Sequence, residues 1–231
     1  MRIPAMAFLL LALAVGLAPL HAQPRTPSPD PARFEKDIAA FEAADRTSPP
    51  PPGAVLFVGS SSITNWDVAA AFPALTTIRR GYGGSHVSDT LHFADRIIFP
   101  YRPKVVVFYA GDADVAAGKS ARQIAEDTGA LVALIHRRLP ETQVLVIGTK
   151  PSPAHWEHIQ TIREANRIVR TWMATDGRAL FADVEPALLG PDGQPRPDFY
   201  TENRLNLNER GYAAWTAAVR PAVERLAART P

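Results

Sequence analysis

The sequence predicts an α/β fold: a parallel sheet of five strands, covered by helices on both faces. Two observations carry that expectation. Short runs rich in Val, Ile and Phe recur at Ala54–Gly59, Thr76–Arg80, Lys104–Ala110, Gln143–Gly148 and Ala179–Val184. Three of them lack polar alternation, as strands buried on both faces do. Between them lie stretches with helical spacing, and strands alternating with helices of that length imply parallel pairing.

The elements follow in chain order. Met1–Arg2 is a short basic start, Ala5–Leu17 is an almost unbroken apolar run, and a small residue, Ala22, precedes a polar break. That is the pattern of a secretory signal peptide cleaved after Ala22. The run falls short of the roughly 18–20 apolar residues a membrane span needs, so no stable span is expected after cleavage. The expected product is exported, to the periplasm or outside the cell. Gln23–Pro31 reads as a flexible Pro-rich tether, and Phe34–Ala44 as a helix. Ser48–Gly53, with four prolines in a row, admits no regular structure and leads into the first strand. Residues 23–53 thus form a tether and an N-terminal helix, and 54–231 one domain. Helices are expected at Val87–Ile97, Ala121–Arg138, Glu157–Ala174 and Glu209–Ala228, the last capped by Asn208.

Composition narrows the partners. The full chain has 25 Lys and Arg against 23 Asp and Glu, and removing residues 1–22 takes away only Arg2. So even a balance argues against nucleic acid. Arg79-Arg80 and Arg137-Arg138 read as solvated faces or ion pairs. Cysteine is absent from the whole sequence, so stability rests on an apolar core rather than disulfides. A small-molecule or carbohydrate partner is left open. No cofactor motif for phosphate or dinucleotide is present.

In a parallel sheet, ligands bind beyond the carboxyl ends of the strands. The first strand is followed by Gly59-Ser60-Ser61-Ser62, the second by Gly81-Tyr82-Gly83-Gly84-Ser85-His86, and the third by Gly111-Asp112-Ala113-Asp114. Glu202-Asn203-Arg204-Leu205-Asn206-Leu207-Asn208 and then Gly211-Tyr212 precede the last helix. A serine on a glycine-assisted strand-to-helix bend is exposed and lies near free backbone N–H groups.

Taken in order, these blocks resemble the SGNH hydrolases, the GDSL esterase and lipase family, from about Ala54 to the final helix. The resemblance implies a three-layer flavodoxin-like fold and ester hydrolysis, often of acyl or acetyl groups. It places Ser61 on the nucleophile and Gly84 on a backbone donor of the oxyanion hole. It also places Ala113 where the oxyanion asparagine belongs, Asn203 on the catalytic Asp, and Asn206 on the catalytic His. An asparagine amide has no usable basicity at neutral pH, so Asn206 cannot take the serine proton. The expectation is therefore a family member with little or no esterase activity that retains a ligand pocket.

The alternative is an active serine esterase with a relocated base. His86, His155 and His158 follow the second and fourth strands and are the candidates. His92 and His136 fall in helix bodies, and Glu202 sits beside the lost Asp. Asp112 and Asp114 flank Ala113, where a turn role outweighs cation binding. Trp66, Tyr82 and Trp156 are expected either to line the pocket or to pack in the core.

Overall fold

The computed structural model describes residues 24–229. The expected signal segment lies outside them. The sheet strands are β1 (Val55–Gly59), β2 (Thr77–Gly81), β3 (Val105–Tyr109), β4 (Gln143–Ile147) and β5 (Ala179–Ala182). They pair in the order β2-β1-β3-β4-β5, all parallel. The helices are α1 (Glu35–Thr47), α2 (Ser61–Thr64), α3 (Val68–Ala71), α4 (Val87–Ile97), α5 (Asp112–Ala116), α6 (Ala121–Arg138), α7 (Ile159–Ala174), α8 (Glu185–Leu188) and α9 (Glu209–Ala227).

Strand periodicity divides the core in two. In β3, Val106 and Phe108 join Ile38 of α1, Phe93 of α4, Leu131 of α6 and Ile162 of α7. Val105, Val107 and Tyr109 face the other way, onto Val68, Leu188, and Trp215, Val219 and Val223 of α9. Because both faces of β1 and β3 are covered, every one of their residues is apolar or glycine, and all are buried. β2, by contrast, is an edge strand with Arg79 exposed. Arg79 donates to Trp66 O (2.9 Å), while Arg80 reaches Tyr101 Oη (2.7 Å) and the Asp45 carboxylate. Charged, engaged side chains on an edge oppose pairing with another chain.

The expected tether behaves differently. Residues 24–30 have no regular structure, yet they are pinned to the domain. The Gln123 amide serves both backbone groups of Thr26, accepting from its N–H (2.9 Å) and donating to its carbonyl (2.7 Å). Arg25 pairs with Glu126 and Asp127, and the Ser28 and Ser88 hydroxyls meet at 2.9 Å. Proline denies the segment its own ladder of hydrogen bonds and leaves its backbone groups free for a side chain to satisfy. The expected helix from Glu157 begins instead as a 3-10 turn over Pro153–His158, and α7 proper starts at Ile159.

Candidate active site

β1 ends on Gly59 with φ of 135°, a value that side chains disfavour. A Cβ there would stand 1.9 Å from Tyr109 O, so glycine is what lets the ends of β1 and β3 close together. Ser60 N–H donates to that same carbonyl (3.0 Å) and adopts an extended conformation before the chain turns into α2. Ser61 opens the helix and is half-buried. α9 secures the turn from the far side: Tyr212 Oη donates to Ser62 O (2.9 Å).

The loop after β2 comes up against this serine. A Cβ on Gly83 would lie 3.7 Å from Ser61 Cβ, and Gly84 has φ of 80° with open space beside it. Gly83 and Gly84 are both exposed. Ala113, in the first turn of α5, is half-buried and offers only a methyl group.

The two aspartates flanking Ala113 are each claimed by a lysine. Asp114 is buried, accepting from Lys119 Nζ (2.7 Å) and Val87 N–H (3.1 Å), with His86 Nδ1 3.4 Å away. Burial pushes its carboxyl up, but His86 and Lys119 together outweigh that and hold it below the usual range. Asp112 accepts from Tyr109 Oη (2.6 Å) and Lys150 Nζ (2.8 Å) through one oxygen, while its other oxygen is buried without a partner. Burial first, and then the Asp112 charge, push the Tyr109 phenol well above its usual value. Lys150 and Tyr109 are fully buried. Sequence reading missed both, although the carboxyl-end rule could have found them: Tyr109 closes an apolar strand, and Lys150 stands three residues past β4.

The loop before α9 serves itself. Asn203 Oδ1 accepts from Leu205 N–H (2.9 Å), Asn206 N–H (2.9 Å) and the Thr201 hydroxyl (2.9 Å). This triple bond holds Arg204 at φ of 57°. Asn206 is half-buried, and its side-chain oxygen is buried without a partner. Gly211 is needed for packing, since a Cβ there would stand 2.2 Å from Phe199 O. The loop also reaches the segment after β4, where Ala154 N–H donates to Arg204 O (3.1 Å).

Among the described residues no histidine pairs with the Ser61 hydroxyl. His86 is buried beside Asp114, and its backbone N–H is taken by the Asp89 carboxylate (2.8 Å). His158 lies 3.6 Å from Glu157 near the surface. His155 Nδ1 is buried without a hydrogen-bond partner, as is His86 Nδ1, but His86 has the Asp114 carboxylate beside it and His155 has no ion-pair contact among the described residues. Burial lowers its pKa, and the Asp112 charge acts in the opposite direction. His92 is exposed, His136 pairs with Asp176 (3.1 Å), and Glu202 is exposed.

Trp66 and Tyr82 are core residues. Trp66 packs on Phe57, Phe72 and Trp215 and also lines the cleft beside Asn206, and Tyr82 packs on Phe34 and Phe93. Trp156 lines a cleft of 310 Å³ with Pro153, Tyr200 and Arg204. An open cleft of 840 Å³ flanks the same loop on its other side, with Asn65, Asn206, Tyr212 and Arg220 in its walls. Among the described residues no group of three His, Asp or Glu side chains is placed to hold a metal ion.

Comparison with known proteins accords with this architecture. The sequence pattern of the GDSL-like lipase/acylhydrolase family matches residues 52–214. The platelet-activating factor acetylhydrolase IB subunit alpha1 of Homo sapiens is 29% identical over 161 residues, covering 68% of each chain. A protein of Streptococcus pneumonia superposes with a TM-score of 0.74 at 17% identity, over 83% of this chain and 93% of its own. A GDSL-like lipase from Bacteroides thetaiotaomicron does so with a TM-score of 0.67 at 19% identity, over 85% and 98%.

Proposed function

Because this chain belongs to the GDSL-like lipase/acylhydrolase family, we propose that it keeps the family's cleft for ligand binding and has lost serine hydrolysis. The single observation behind this reading is that the Ser61 hydroxyl has no base among the described residues. Ala113, Asn203 and Asn206 stand at the three positions that would supply the oxyanion amide, the carboxylate and the imidazole. In serine proteases the loss of the base costs ~10⁶ in turnover. Loss of one oxyanion donor costs ~10²–10³, and the effects do not simply multiply. The ligand is a small-molecule ester or a carbohydrate, and the acyl carbonyl of an ester would lie at Gly84. The protein acts after export, with residues 1–22 removed.

Mature protein mixed with p-nitrophenyl acetate is expected to show no turnover above a Ser61→Ala variant. Combining Ala113→Asn, Asn203→Asp and Asn206→His is expected to restore serine-dependent turnover. Turnover by the unmodified protein at ordinary enzyme rates, abolished by Ser61→Ala, would refute the proposal.

One observation favours a second reading, in which Ser61 is active with a relocated base. Burial favours the neutral imidazole of His155, on the segment after β4, and its Nδ1 is without a hydrogen-bond partner. A neutral ring with a free nitrogen is the form a general base requires. On this reading His155→Gln removes ester turnover as completely as Ser61→Ala, and turnover rises with pH through the His155 titration. Equal rates in His155→Gln and the parent would exclude it.

A further inference from the structure

A concave site lies at the opposite end of the strands from Ser61, at the amino ends of the central strands β1, β3 and β4. The segments leading into β3 and β4 stand side by side there. Gln143 N–H donates to Lys104 O (2.9 Å), and the Thr142 hydroxyl to Pro103 O (2.7 Å). Between these segments and the end of α9 is a pocket of 460 Å³. That is within the roughly 300–1,000 Å³ typical of small-molecule sites.

Its walls combine apolar surface with uneven charge. Pro103, Leu139 and Pro140 contribute apolar surface, while Arg102, Lys104, Arg138 and Arg229 face a single carboxylate, Glu141. The full chain carries a net charge of only +2, so this is a local concentration of cations. Arg138 is neutralised by Asp95 (2.8 Å). The other three have no carboxylate partner among the described residues. Arg229 donates to two neutral oxygens, Gln143 Oε1 (3.1 Å) and Gly177 O (3.3 Å), which orient its guanidinium without cancelling its charge. Arg102 is held at φ of 43° by two backbone bonds, its N–H to Phe99 O (3.2 Å) and its carbonyl from Gly53 N–H (3.3 Å). All three uncompensated cations are exposed; the guanidinium of Arg229 is oriented by hydrogen bonds, and Arg102 is held through its backbone. Their repulsion is relieved by an anion, and the prolines and Leu139 gain by covering apolar surface.

We propose that this pocket binds a small amphipathic anion: one carboxylate, or a headgroup of like charge, on a short aliphatic tail. The headgroup sits among Arg102, Lys104 and Arg229, and the tail lies against Leu139 and Pro140. The proposal is independent of what happens at Ser61.

Isothermal titration of mature protein with octanoate at low ionic strength tests it, with octanol and sulfate as comparison probes. Octanoate is expected to bind at least about tenfold more tightly than either, and more weakly as salt is added. The double variant Arg102→Asn and Lys104→Gln, which keeps a residue tolerated at positive φ, is expected to weaken octanoate about tenfold or more. An unchanged thermal midpoint would show that this variant is folded, and Arg229→Gln provides a second, single-site disruption. Ser61→Trp, at the opposite end of the strands, is expected to leave octanoate binding unchanged. The proposal fails if octanoate does not bind, or if octanol or sulfate binds as well. It also fails if the basic variants bind normally, or if Ser61→Trp abolishes binding.

Discussion

The Ser61 turn and the loop at residues 201–208 stand at the same end of the molecule, but they are held in different ways. The turn is held by backbone: Gly59 against Tyr109 O, Ser60 N–H on that carbonyl, and Ser62 O on Tyr212. The loop is held by side chains, above all by Asn203, whose one oxygen takes three donors. Close backbone approach leaves the turn almost no freedom in sequence. An acceptor oxygen is all the loop needs at position 203, and asparagine offers one as aspartate would. The geometry of the loop is thus indifferent to whether position 203 carries an amide or a carboxylate, whereas that of the turn depends on glycine at position 59.

The sharpest way to break this comparison is Gly59→Ala. With a Cβ 1.9 Å from a backbone oxygen and φ at 135°, the β1–β3 closure has to open. A loss of about 4 kcal/mol or more is expected in denaturant unfolding. Lys150→Met comes next. It leaves the Asp112 carboxylate buried without its ion-pair partner, at a cost of about 3–5 kcal/mol. Adding Asp112→Asn to that variant is expected to recover much of the loss, and failure to recover would mean that Lys150 acts through packing instead.

Smaller effects sharpen the contrast. Tyr212→Phe removes the hydroxyl on Ser62 O and is expected to cost about 1 kcal/mol. Asn203→Asp keeps the triple acceptor and is expected to change stability by less than about 0.5 kcal/mol. By comparison, Asn203→Ala removes the acceptor shared by two backbone N–H groups of this exposed loop and is expected to cost about 1 kcal/mol. The gentlest probe is pH. Burial is the foremost cause of the lowered pKa values of His136 and His155. A base whose folded pKa lies below its unfolded value binds more protons when unfolded. Stability is therefore expected to decline as pH falls below roughly 6.5, toward the folded values. Replacing both histidines with glutamine should flatten that slope in urea titrations at pH 7, 6 and 5.

Much of this molecule is legible in its sequence, because local rules decide it. Five apolar runs separated by helical spacing specify a parallel sheet, since burial on both faces excludes polar alternation. Val87–Ile97 and Ala121–Arg138 are helices with the bounds their periodicity predicts. Asn208 caps α9 through Gly211 N–H (3.0 Å). The order of the glycine and serine blocks placed Ser61 beyond β1 and the Gly83-Gly84 loop against it.

Tertiary structure decided what long-range contact controls. Nothing local in Gln23–Pro31 announces that a glutamine nearly one hundred residues away will satisfy Thr26, so the segment reads as a tether. Nor does spacing reveal that Lys150 pairs with Asp112 and Lys119 with Asp114, because each pairing depends on which strand ends meet. Trp66 and Tyr82 carry the same residue types whether they line a pocket or fill a core, and only packing put Tyr82 in the core and Trp66 between the core and the cleft beside Asn206. By itself the sequence determined the sheet and the seat of the serine, through hydrophobic period and backbone constraint. The partners of each buried charge were decided by the fold, because desolvation makes a pairing obligatory only once the chain has closed around it.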